Sequence, residues 1–237
     1  MLNYELNYKI IGKGKEILFL PGWNDNIDHF ENIAQRLNNY KFILVDLPNQ
    51  GKSQKINQKI NMDDYIEIIH GFLINNNFDP KIIIGHSFGG KLAFIYALKY
   101  PVDKLVLIAP SLIKNKSLIT QLKIKKYKLL KFLNKNFKLK LNLNKYGSKE
   151  FLMQDGIEKI NFIIATNNYY NKELHKLKIP TLLYYGKKDY VTPIKEAKYI
   201  LKKIENSKLI INEEGDHFAI YNYPYHFIRV LKEFLNA

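Results

Sequence analysis

Short runs of β-branched and aromatic residues alternate with helical stretches along most of this chain, and this alternation limits the possible folds more than any other feature. The strand-like runs are KEILFL, KFILVDLP, KIIIG, KLVLIAP, TLLYYG and KLIINEE, in chain order. Between most of them lie segments with apolar residues at helical spacing, such as DHFENIAQRL and MDDYIEIIHGFLINN. Because two parallel strands must be joined by a crossover, which is usually a helix, the alternation predicts an α/β fold with a mostly parallel, twisted sheet and helices on both faces.

Two local features near the N-terminus lead to more detailed predictions. The segments YELNYKII and KEILFL flank a turn from Gly12 to Gly14, which favours a β-hairpin. Asp28 stands just before the apolar residues of the first helical stretch, where an aspartate side chain can accept hydrogen bonds from free backbone N–H groups. We therefore expect a hairpin of the first two strands and a helix that Asp28 caps.

The alternation stops between Ser111 and about Leu174, where only helical periodicity is found. The apolar residues that fall near one helical face there are Leu118, Leu122, Leu129, Leu130, Leu133 and Phe137. Strand signals resume at TLLYYG, so this segment lies between two late strands of one sheet, and no glycine- or serine-rich linker sets it apart. The chain is therefore predicted to consist of an α/β core domain, residues 1–110 and 175–237, and a helical, lysine-rich cap inserted at residues 111–174.

The composition excludes several kinds of chemistry. With 237 residues the chain is long enough for one large domain with a full hydrophobic core. It contains no cysteine, which excludes disulfides, thiolate metal sites and cysteine nucleophiles and is compatible with a reducing compartment. No set of His, Asp and Glu has the spacing of metal ligands, so we expect no metal and no other cofactor. With neither a basic leader nor an apolar run long enough to cross a bilayer, the sequence predicts a soluble cytoplasmic protein.

Most of the formal net charge of +15 comes from the predicted cap. Residues 111–150 carry one acid, Glu150, and twelve lysines, at positions 114, 116, 123, 125, 126, 128, 131, 135, 138, 140, 145 and 149. A basic amphipathic helix of this kind can contact an anionic membrane surface. The alternative, which we favour, is a lid whose apolar face covers a pocket and whose lysines face water, since Lys and Asn are abundant from end to end, as AT-rich codons would produce. Nucleic acid is not an expected partner, because no recognition motif accompanies the charge and Arg36 and Arg229 are the only arginines.

The segment IIIGHSFGGK holds the strongest candidate for a reactive side chain. Ser87 is the centre of a G-x-S-x-G pattern, follows the strand-like run Ile82–Ile84 and opens a helical stretch that Pro101 stops. A strand-to-helix turn lifts such a serine above the edge of the sheet, with glycines allowing close passage of the backbone. A plain glycine turn is the alternative, because a serine hydroxyl is a poor nucleophile without a base, an acid that orients the base, and donors for the oxyanion.

Each of these partners has a candidate in the expected place. Asp189 follows the strand TLLYYG, and His217 follows the last strand, so that the chain order is Ser, Asp, His. All three lie at C-terminal strand ends, where open α/β sheets place their sites. The expected oxyanion donors are the backbone N–H groups of Phe88, directly after the serine, and of Trp23, in the turn after an early strand. We therefore predict a catalytic triad of Ser87, Asp189 and His217, with an oxyanion hole formed by Trp23 and Phe88.

The separated motifs LFLPGW, VDLPNQGKS, GHSFGG, PTLLYYGKKDYVTP and EEGDHF together resemble those of the α/β-hydrolase superfamily, in particular its small, cap-bearing serine hydrolases of the carboxylesterase type. The resemblance covers almost the whole chain. It implies the α/β-hydrolase fold, the same triad and oxyanion donors, and cleavage of an ester-type bond in a small or medium-sized substrate through an acyl-enzyme. Two departures leave the triad intact and the substrate open: Pro21-Gly22 replaces a common His-Gly, and Asn49-Gln50 a common Gly-His.

Several functions are compatible with these residues. Thioesterases, C–C bond hydrolases and cofactor-free haloperoxidases of the same superfamily use the same triad. A non-catalytic binding protein on the same fold is a further alternative, since a fold does not determine a function. His86, inside the G-x-S-x-G pattern, is expected to pack or to hydrogen-bond locally, and the other histidines outside the predicted triad lie in helical stretches or at the end of the insertion. The natural substrate, its acyl-chain length and the oligomeric state are left open by the sequence.

Overall fold

A seven-stranded sheet forms the centre of the protein in the computed structural model, which describes residues 4–114, 118–137 and 149–237. The strands are β1 (Tyr8–Ile11), β2 (Lys15–Leu20), β3 (Tyr40–Val45), β4 (Ile82–His86), β5 (Lys104–Ile108), β6 (Thr181–Gly186) and β7 (Ser207–Asn212). Their order in the sheet is β1-β3-β2-β4-β5-β6-β7, and each neighbouring pair is parallel except β1 with β3. The predicted α/β fold with a mostly parallel sheet is confirmed.

Helices cover both faces of this sheet. They are α1 (Asp28–Gln35), α2 (Met62–Asn75), α3 (Phe88–Lys99), α4 (Leu118–Phe137), α5 (Lys149–Met153), α6 (Gly156–Asn167), α7 (Ile194–Leu201), α8 (Ala219–Asn222) and α9 (Pro224–Asn236), with a 3-10 turn at Leu174–Lys176. Successive side chains of a strand point to opposite faces, so Leu18 of β2 belongs to the core under α2, α3 and α7, and Phe19 to the core under α1 and α9. None of the helices that the structure describes is long and apolar enough to span a membrane.

The predicted hairpin of the first two strands is wrong, because β3 lies between β1 and β2. Residues Ile17 to Leu20 of β2 are fully buried, and a buried strand of this kind has a neighbour along both edges, here β3 and β4. In contrast, β1 has only exposed and half-buried residues and forms the outer edge of the sheet. The turn at Gly12 and Gly14 therefore connects two antiparallel strands that are not paired with each other.

Asp28 is the first residue of α1 and not its cap, which corrects a second prediction. Its backbone N–H donates to the side chain of Asn26 at 2.9 Å, and its carboxylate pairs with Lys9 at 2.7 Å. An acidic residue in the first turn is stabilised by the helix dipole even where it does not cap the helix.

The helices α4, α5 and α6 fall between β5 and β6, where the sequence predicts an insertion. Of the predicted apolar face of α4, Leu122, Leu129 and Phe137 are 65%, 57% and 65% exposed, whereas Leu130 and Leu133 are half-buried. The favoured interpretation as a lid over a pocket stays a prediction. The lysine side chains that are described as exposed here are those of Lys114, Lys125, Lys126, Lys128 and Lys131, whereas Lys116, Lys138, Lys140 and Lys145 lie outside the described residues. The division into a core domain and a cap domain stays a prediction.

The sheet order places a crevice at the ends of β2 and β4. From β2 the chain continues to β3 on one side of β2 and then returns to β4 on its other side. Such a reversal opens a crevice at the C-terminal ends of the two strands, which is where α/β proteins bind their ligands. The loop after β2 (residues 21–25, the oxyanion loop) and the turn at Ser87 after β4 therefore meet at this crevice.

Candidate active site

Ser87 lies in the tight turn between β4 and α3 (the elbow), with backbone angles φ 50° and ψ −106°. A positive φ is unfavourable for a residue with a side chain, and such strain clusters at functional turns. Two glycines make the turn possible, since a Cβ on Gly85 would clash with the carbonyl oxygen of Gly89, and a Cβ on Gly89 would clash with that of Leu20. The elbow therefore holds Ser87 against the end of β2, as the G-x-S-x-G pattern predicts.

The structure brings the three predicted triad side chains into one hydrogen-bonded line. His217 Nε2 lies 3.0 Å from Ser87 Oγ, and His217 Nδ1 lies 2.8 Å from Asp189 Oδ2. Because an ionised carboxylate only accepts, Nδ1–H donates to Asp189, which leaves the lone pair of Nε2 free to accept the serine proton. The Asp189 side chain is fully buried and Ser87 is half-buried, so the line runs from the interior to the crevice.

Asp189 is held by a turn as well as by the histidine. Its Oδ1 accepts from the backbone N–H groups of Val191 at 2.7 Å and Thr192 at 2.9 Å, and its Oδ2 accepts from the Thr192 hydroxyl at 2.7 Å. Burial by itself would raise the pKa of Asp189, but the hydrogen bonds from His217 and Thr192 and the charge of His217 hold it below its ordinary value. The carboxylate is therefore ionised and fixed in orientation. Sequence reasoning missed Thr192, although the D-x-x-T spacing is typical of a side-chain-stabilised turn and could have indicated it.

The two predicted oxyanion donors belong to the segments that meet at Ser87. Phe88 is the first residue of α3, where backbone N–H groups have no acceptor within the helix. Trp23 lies in the oxyanion loop, and Gly22 before it packs on the elbow, since a Cβ on Gly22 would lie 3.5 Å from Ser87 Cβ. The rings of Trp23 and Phe88 are in edge-to-face contact, with centroids 4.9 Å apart. The role of these two N–H groups as oxyanion donors stays a prediction.

Helix α6 contacts this site. Its Phe162 ring lies 5.1 Å from the Trp23 ring, edge to face. Its Asn161, which is fully buried, donates to the carbonyl oxygen of Gln58 and accepts from the backbone N–H of Ile60. An aromatic contact and two buried hydrogen bonds therefore join α6 to the oxyanion loop and to the segment before α2.

Lys91 joins the C-terminal end of α6 to α3. Its Nζ donates to the carbonyl oxygens of Ala165 and Asn168, at 2.6 and 2.9 Å. The side chain is only 1% exposed, and burial lowers the pKa of Lys91 to about 7. Sequence reasoning missed this residue, and the signal was a single lysine within the otherwise apolar helix SFGGKLAFIYAL.

His86 packs in the interior, which is one of the two predicted alternatives, but its hydrogen bond is not a local one. Its Nε2 lies 3.0 Å from the backbone carbonyl oxygen of His217, 131 residues away along the chain. Its Nδ1 lies 3.7 Å from Asp25 Oδ2, within ion-pair range but too far for a normal hydrogen bond. The partner is distant in sequence because the residue before Ser87 in the elbow lies next to the loop that carries His217.

The polar groups of the site are suited to nucleophilic and acid–base chemistry. His217 lies between a hydroxyl whose proton it can accept and a carboxylate that stabilises the resulting imidazolium. Among residues 4–114, 118–137 and 149–237, no group of three or more His, Asp and Glu side chains is arranged to hold a metal ion.

A family model described as the alpha/beta hydrolase fold matches residues 15–150, which is more than half of the chain. The protein therefore belongs to the α/β-hydrolase family. The matched region includes β2, the oxyanion loop and the elbow at Ser87.

Named relatives align over nearly the full length of the chain. The AB hydrolase superfamily protein YisY of Bacillus subtilis (strain 168) is 28% identical, over 96% of this chain and 94% of the relative. A pimeloyl-(acyl-carrier protein) methyl ester esterase of Wigglesworthia glossinidia brevipalpis is 30% identical, over 96% of both chains. The solved structure of the esterase EaEST from Exiguobacterium antarcticum has a TM-score of 0.78 at 22% identity, covering 99% of this chain and 96% of that one, and supports the fold. Family and relatives together support an enzyme of the hydrolase class with a small-molecule substrate.

Proposed function

We propose that this protein is a serine hydrolase that cleaves ester-type bonds of a small or medium-sized substrate through an acyl-enzyme. The observation that carries the proposal is the line of hydrogen bonds from Ser87 Oγ through His217 to Asp189, at 3.0 and 2.8 Å. A serine nucleophile requires this order of contacts. The relative that is named a methyl ester esterase, 30% identical over 96% of the chain, supports an ester as the bond cleaved.

In the first half of the proposed reaction, Ser87 Oγ attacks the carbonyl carbon of the ester while its proton passes to His217 Nε2. Asp189, buried and ionised, stabilises the imidazolium that forms. The backbone N–H groups of Trp23 and Phe88 donate to the oxyanion, and one such donor typically contributes roughly 3 kcal/mol. When the tetrahedral intermediate collapses, the leaving alcohol takes the proton from His217 and the acyl group remains on Ser87.

Water completes the cycle with the same groups. His217 Nε2 removes a proton from a water molecule whose oxygen attacks the acyl carbon. The second tetrahedral intermediate releases Ser87 Oγ, which regains a proton from His217, and the carboxylic acid departs. Because His217 must be neutral for both attacks, we expect acidification to lower the rate.

Covalent labelling with a fluorophosphonate probe tests this assignment. The parent should be labelled and should hydrolyse p-nitrophenyl esters, whereas Ser87→Ala should lose labelling and lose roughly 10⁴-fold or more in kcat. Ser207→Ala is a matched control. Ser207 is the first residue of β7 and so lies at the N-terminal end of a strand, whereas Ser87 follows the C-terminal end of β4. Its hydroxyl donates to the Ile204 carbonyl at 2.6 Å. An unlabelled parent, or equal labelling of Ser87→Ala and the parent, would contradict the proposal.

A panel of p-nitrophenyl esters of increasing acyl length, together with one acyl thioester, sharpens the substrate class. The aromatic rings of Trp23 and Phe162 at the crevice favour an apolar acyl group. We expect kcat/KM to rise with acyl length up to the length that the crevice accepts. A higher kcat/KM for the thioester than for the matched ester would replace the esterase assignment by that of a thioesterase.

We also propose an anionic membrane surface as a partner of α4. Leu122, Leu129 and Phe132 of this helix are more than half exposed, and the neighbouring Lys125 and Lys128 are exposed as well. Basic amphipathic helices of this form bind anionic lipids through apolar burial and charge together.

Sedimentation with phosphatidylglycerol vesicles tests the contact with lipid. Binding at low salt should weaken at high salt, should weaken in Phe132→Ser, and should be absent with phosphatidylcholine. Ile74→Ser, at an exposed apolar position on α2, is the control and should bind like the parent. A lack of binding to anionic vesicles at low salt would remove this partner.

The cytoplasm is the location that we propose. The absence of cysteine from the sequence is compatible with a reducing compartment. Fractionation of cells expressing the full chain measures the location directly, and recovery outside the cytoplasmic fraction would contradict it.

A further inference from the structure

A second carboxylate–histidine pair lies next to the proposed triad. It consists of Asp25 in the oxyanion loop and His86 at the end of β4, whose side chains are 7% and 1% exposed. His86 Nδ1 lies 3.7 Å from Asp25 Oδ2, and the rings of His86 and His217 have centroids 5.2 Å apart. Neither residue belongs to the line from Ser87 to Asp189, so the proposed reaction leaves this buried pair without a role.

The backbone carbonyl of His217 determines which ring nitrogen of His86 carries a proton. A carbonyl oxygen only accepts, so the 3.0 Å contact between His86 Nε2 and the His217 oxygen requires a proton on Nε2. The other ring nitrogen, Nδ1, then faces the carboxylate of Asp25. Gly22 leaves room for this arrangement, since a Cβ there would lie 3.1 Å from His86 Nδ1. His86 thus donates to the main chain of the residue that carries the proposed base.

Asp25 also contacts α8, the helix that follows His217 in the chain. Its Oδ2 accepts from the Tyr221 hydroxyl at 2.6 Å, and Tyr221 lies four residues after His217. Its Oδ1 lies 2.6 Å from His29 Nδ1. Burial by itself would raise the pKa of Asp25, but its neighbours His86, Tyr221 and His29 lower it to about 2. Asp25 is therefore an ionised acceptor at neutral pH.

We propose that Asp25 and His86 are positioning residues for the proposed triad. Through the His217 carbonyl and the Tyr221 hydroxyl, they hold three segments in a fixed relation: the oxyanion loop, the elbow and the loop that carries His217. The inference rests on the proposed function, because the task of the pair is to keep the imidazole and the oxyanion donors aligned on Ser87.

The alignment matters because His217 has to keep two hydrogen bonds at once, 3.0 Å to Ser87 and 2.8 Å to Asp189. A displacement of about 1 Å in an active site can lower a rate by about 100-fold. Buried hydrogen bonds such as that from His86 to the His217 carbonyl and that from Tyr221 to Asp25 resist such displacement, because the local dielectric is low and water does not compete for them. Loss of the pair should therefore lower kcat and leave KM for the ester nearly unchanged.

Replacement of His86 in the full-length protein tests the inference, with p-nitrophenyl butyrate as substrate. We expect His86→Leu, which removes the Nε2–H donor, to lower kcat by about 10- to 100-fold while KM stays within about 3-fold. His86→Gln should recover much of the loss, because its side-chain amide again donates at about the distance of Nε2. His70→Leu is the control: this histidine of α2 lies 3.0 Å from the Tyr96 hydroxyl, and its loss should change kcat less than about twofold.

Tyr221→Phe removes one hydroxyl, keeps the ring, and stays informative even where His86→Leu does not fold. We expect kcat to fall about 3- to 10-fold at unchanged KM, because one of the contacts that hold the His217 loop in place is lost. Values of kcat within twofold of the parent in the folded His86 and Tyr221 variants would overturn the inference and leave the proposed function intact. A parent that hydrolyses no ester and takes no fluorophosphonate would overturn both.

Discussion

Helices α4 and α6 both lie between β5 and β6, yet their described side chains differ in burial and in polar contacts. In α6, Asn161 is fully buried, Phe162 packs on the oxyanion loop, and the last carbonyls accept hydrogen bonds from Lys91. In α4, Leu122 and Leu129 are more than half exposed. Apolar periodicity therefore identifies a helix and its apolar face, but it does not identify the helix that lies against the site.

The buried polar contacts of α6 account for the difference. An unpartnered polar group in the interior is strongly unfavourable, so Asn161 and Lys91 allow α6 only the orientation in which both find their partners. Exposed leucines impose no such requirement, because an apolar contact is not directional. Four measurements test whether the two helices differ in this way.

The largest loss of stability at neutral pH is expected for Asn161→Ala. The change leaves the Gln58 carbonyl and the Ile60 N–H without their partner in a buried place, which should lower the free energy of unfolding by about 3 kcal/mol. Urea denaturation followed by circular dichroism measures the loss. Asn136→Ala, at an exposed asparagine of α4 that donates to the Phe132 carbonyl, is the control and should lose less than about 0.5 kcal/mol. Similar losses in both variants would remove the distinction between the helices.

Lys91 should make stability depend on pH. Its folded pKa, about 7, lies below the ordinary value of 10.5, so between these values the unfolded chain binds a proton that the folded chain has lost. The free energy of unfolding should therefore rise with pH in this window, with a slope of up to about 1.4 kcal/mol per pH unit. Lys91→Met lacks this titration, and the stability difference between parent and variant should move in favour of the parent from pH 7 to pH 10. A pH-independent difference would show that the amine stays charged.

Phe162→Ala should impair the use of long acyl chains. Removing the ring opens the contact with Trp23 over the crevice, so kcat/KM for the longest accepted p-nitrophenyl ester should fall about tenfold, and less for the acetate. Phe132→Ala removes the same side chain from exposed α4 and should leave both values within about twofold. The comparison fails if the two variants behave alike.

The smallest effect is expected for Leu129→Ser. Because this side chain is more than half exposed, its replacement should change the free energy of unfolding by less than about 0.5 kcal/mol in the absence of lipid. Thermal denaturation measures the shift. A loss above about 1 kcal/mol would mean that α4 packs through this residue in the free protein.

Much of the candidate site could be predicted because its main signals are local. The G-x-S-x-G turn after a β-branched run specifies where Ser87 lies, and strand ends specify where Asp189 and His217 lie. Contacts between distant segments could not be predicted in this way. No pattern near His86 predicts its hydrogen bond to a carbonyl oxygen 131 residues away. Likewise, no pattern near Lys91 predicts its hydrogen bond to a carbonyl oxygen at the end of α6.

Sequence patterns were enough to predict the α/β class, the mostly parallel sheet, the elbow at Ser87 and the order of the candidate triad along the chain. These features follow from side-chain periodicity and from backbone sterics at glycines, which act over a few residues. The folded structure was needed to show that β3 separates β1 from β2, that α6 contacts the Trp23 ring, and that His86 hydrogen-bonds to the carbonyl oxygen of His217. Those outcomes depend on which distant segments bury each other's apolar surface and satisfy each other's polar groups, and that competition is settled only when the whole chain is folded.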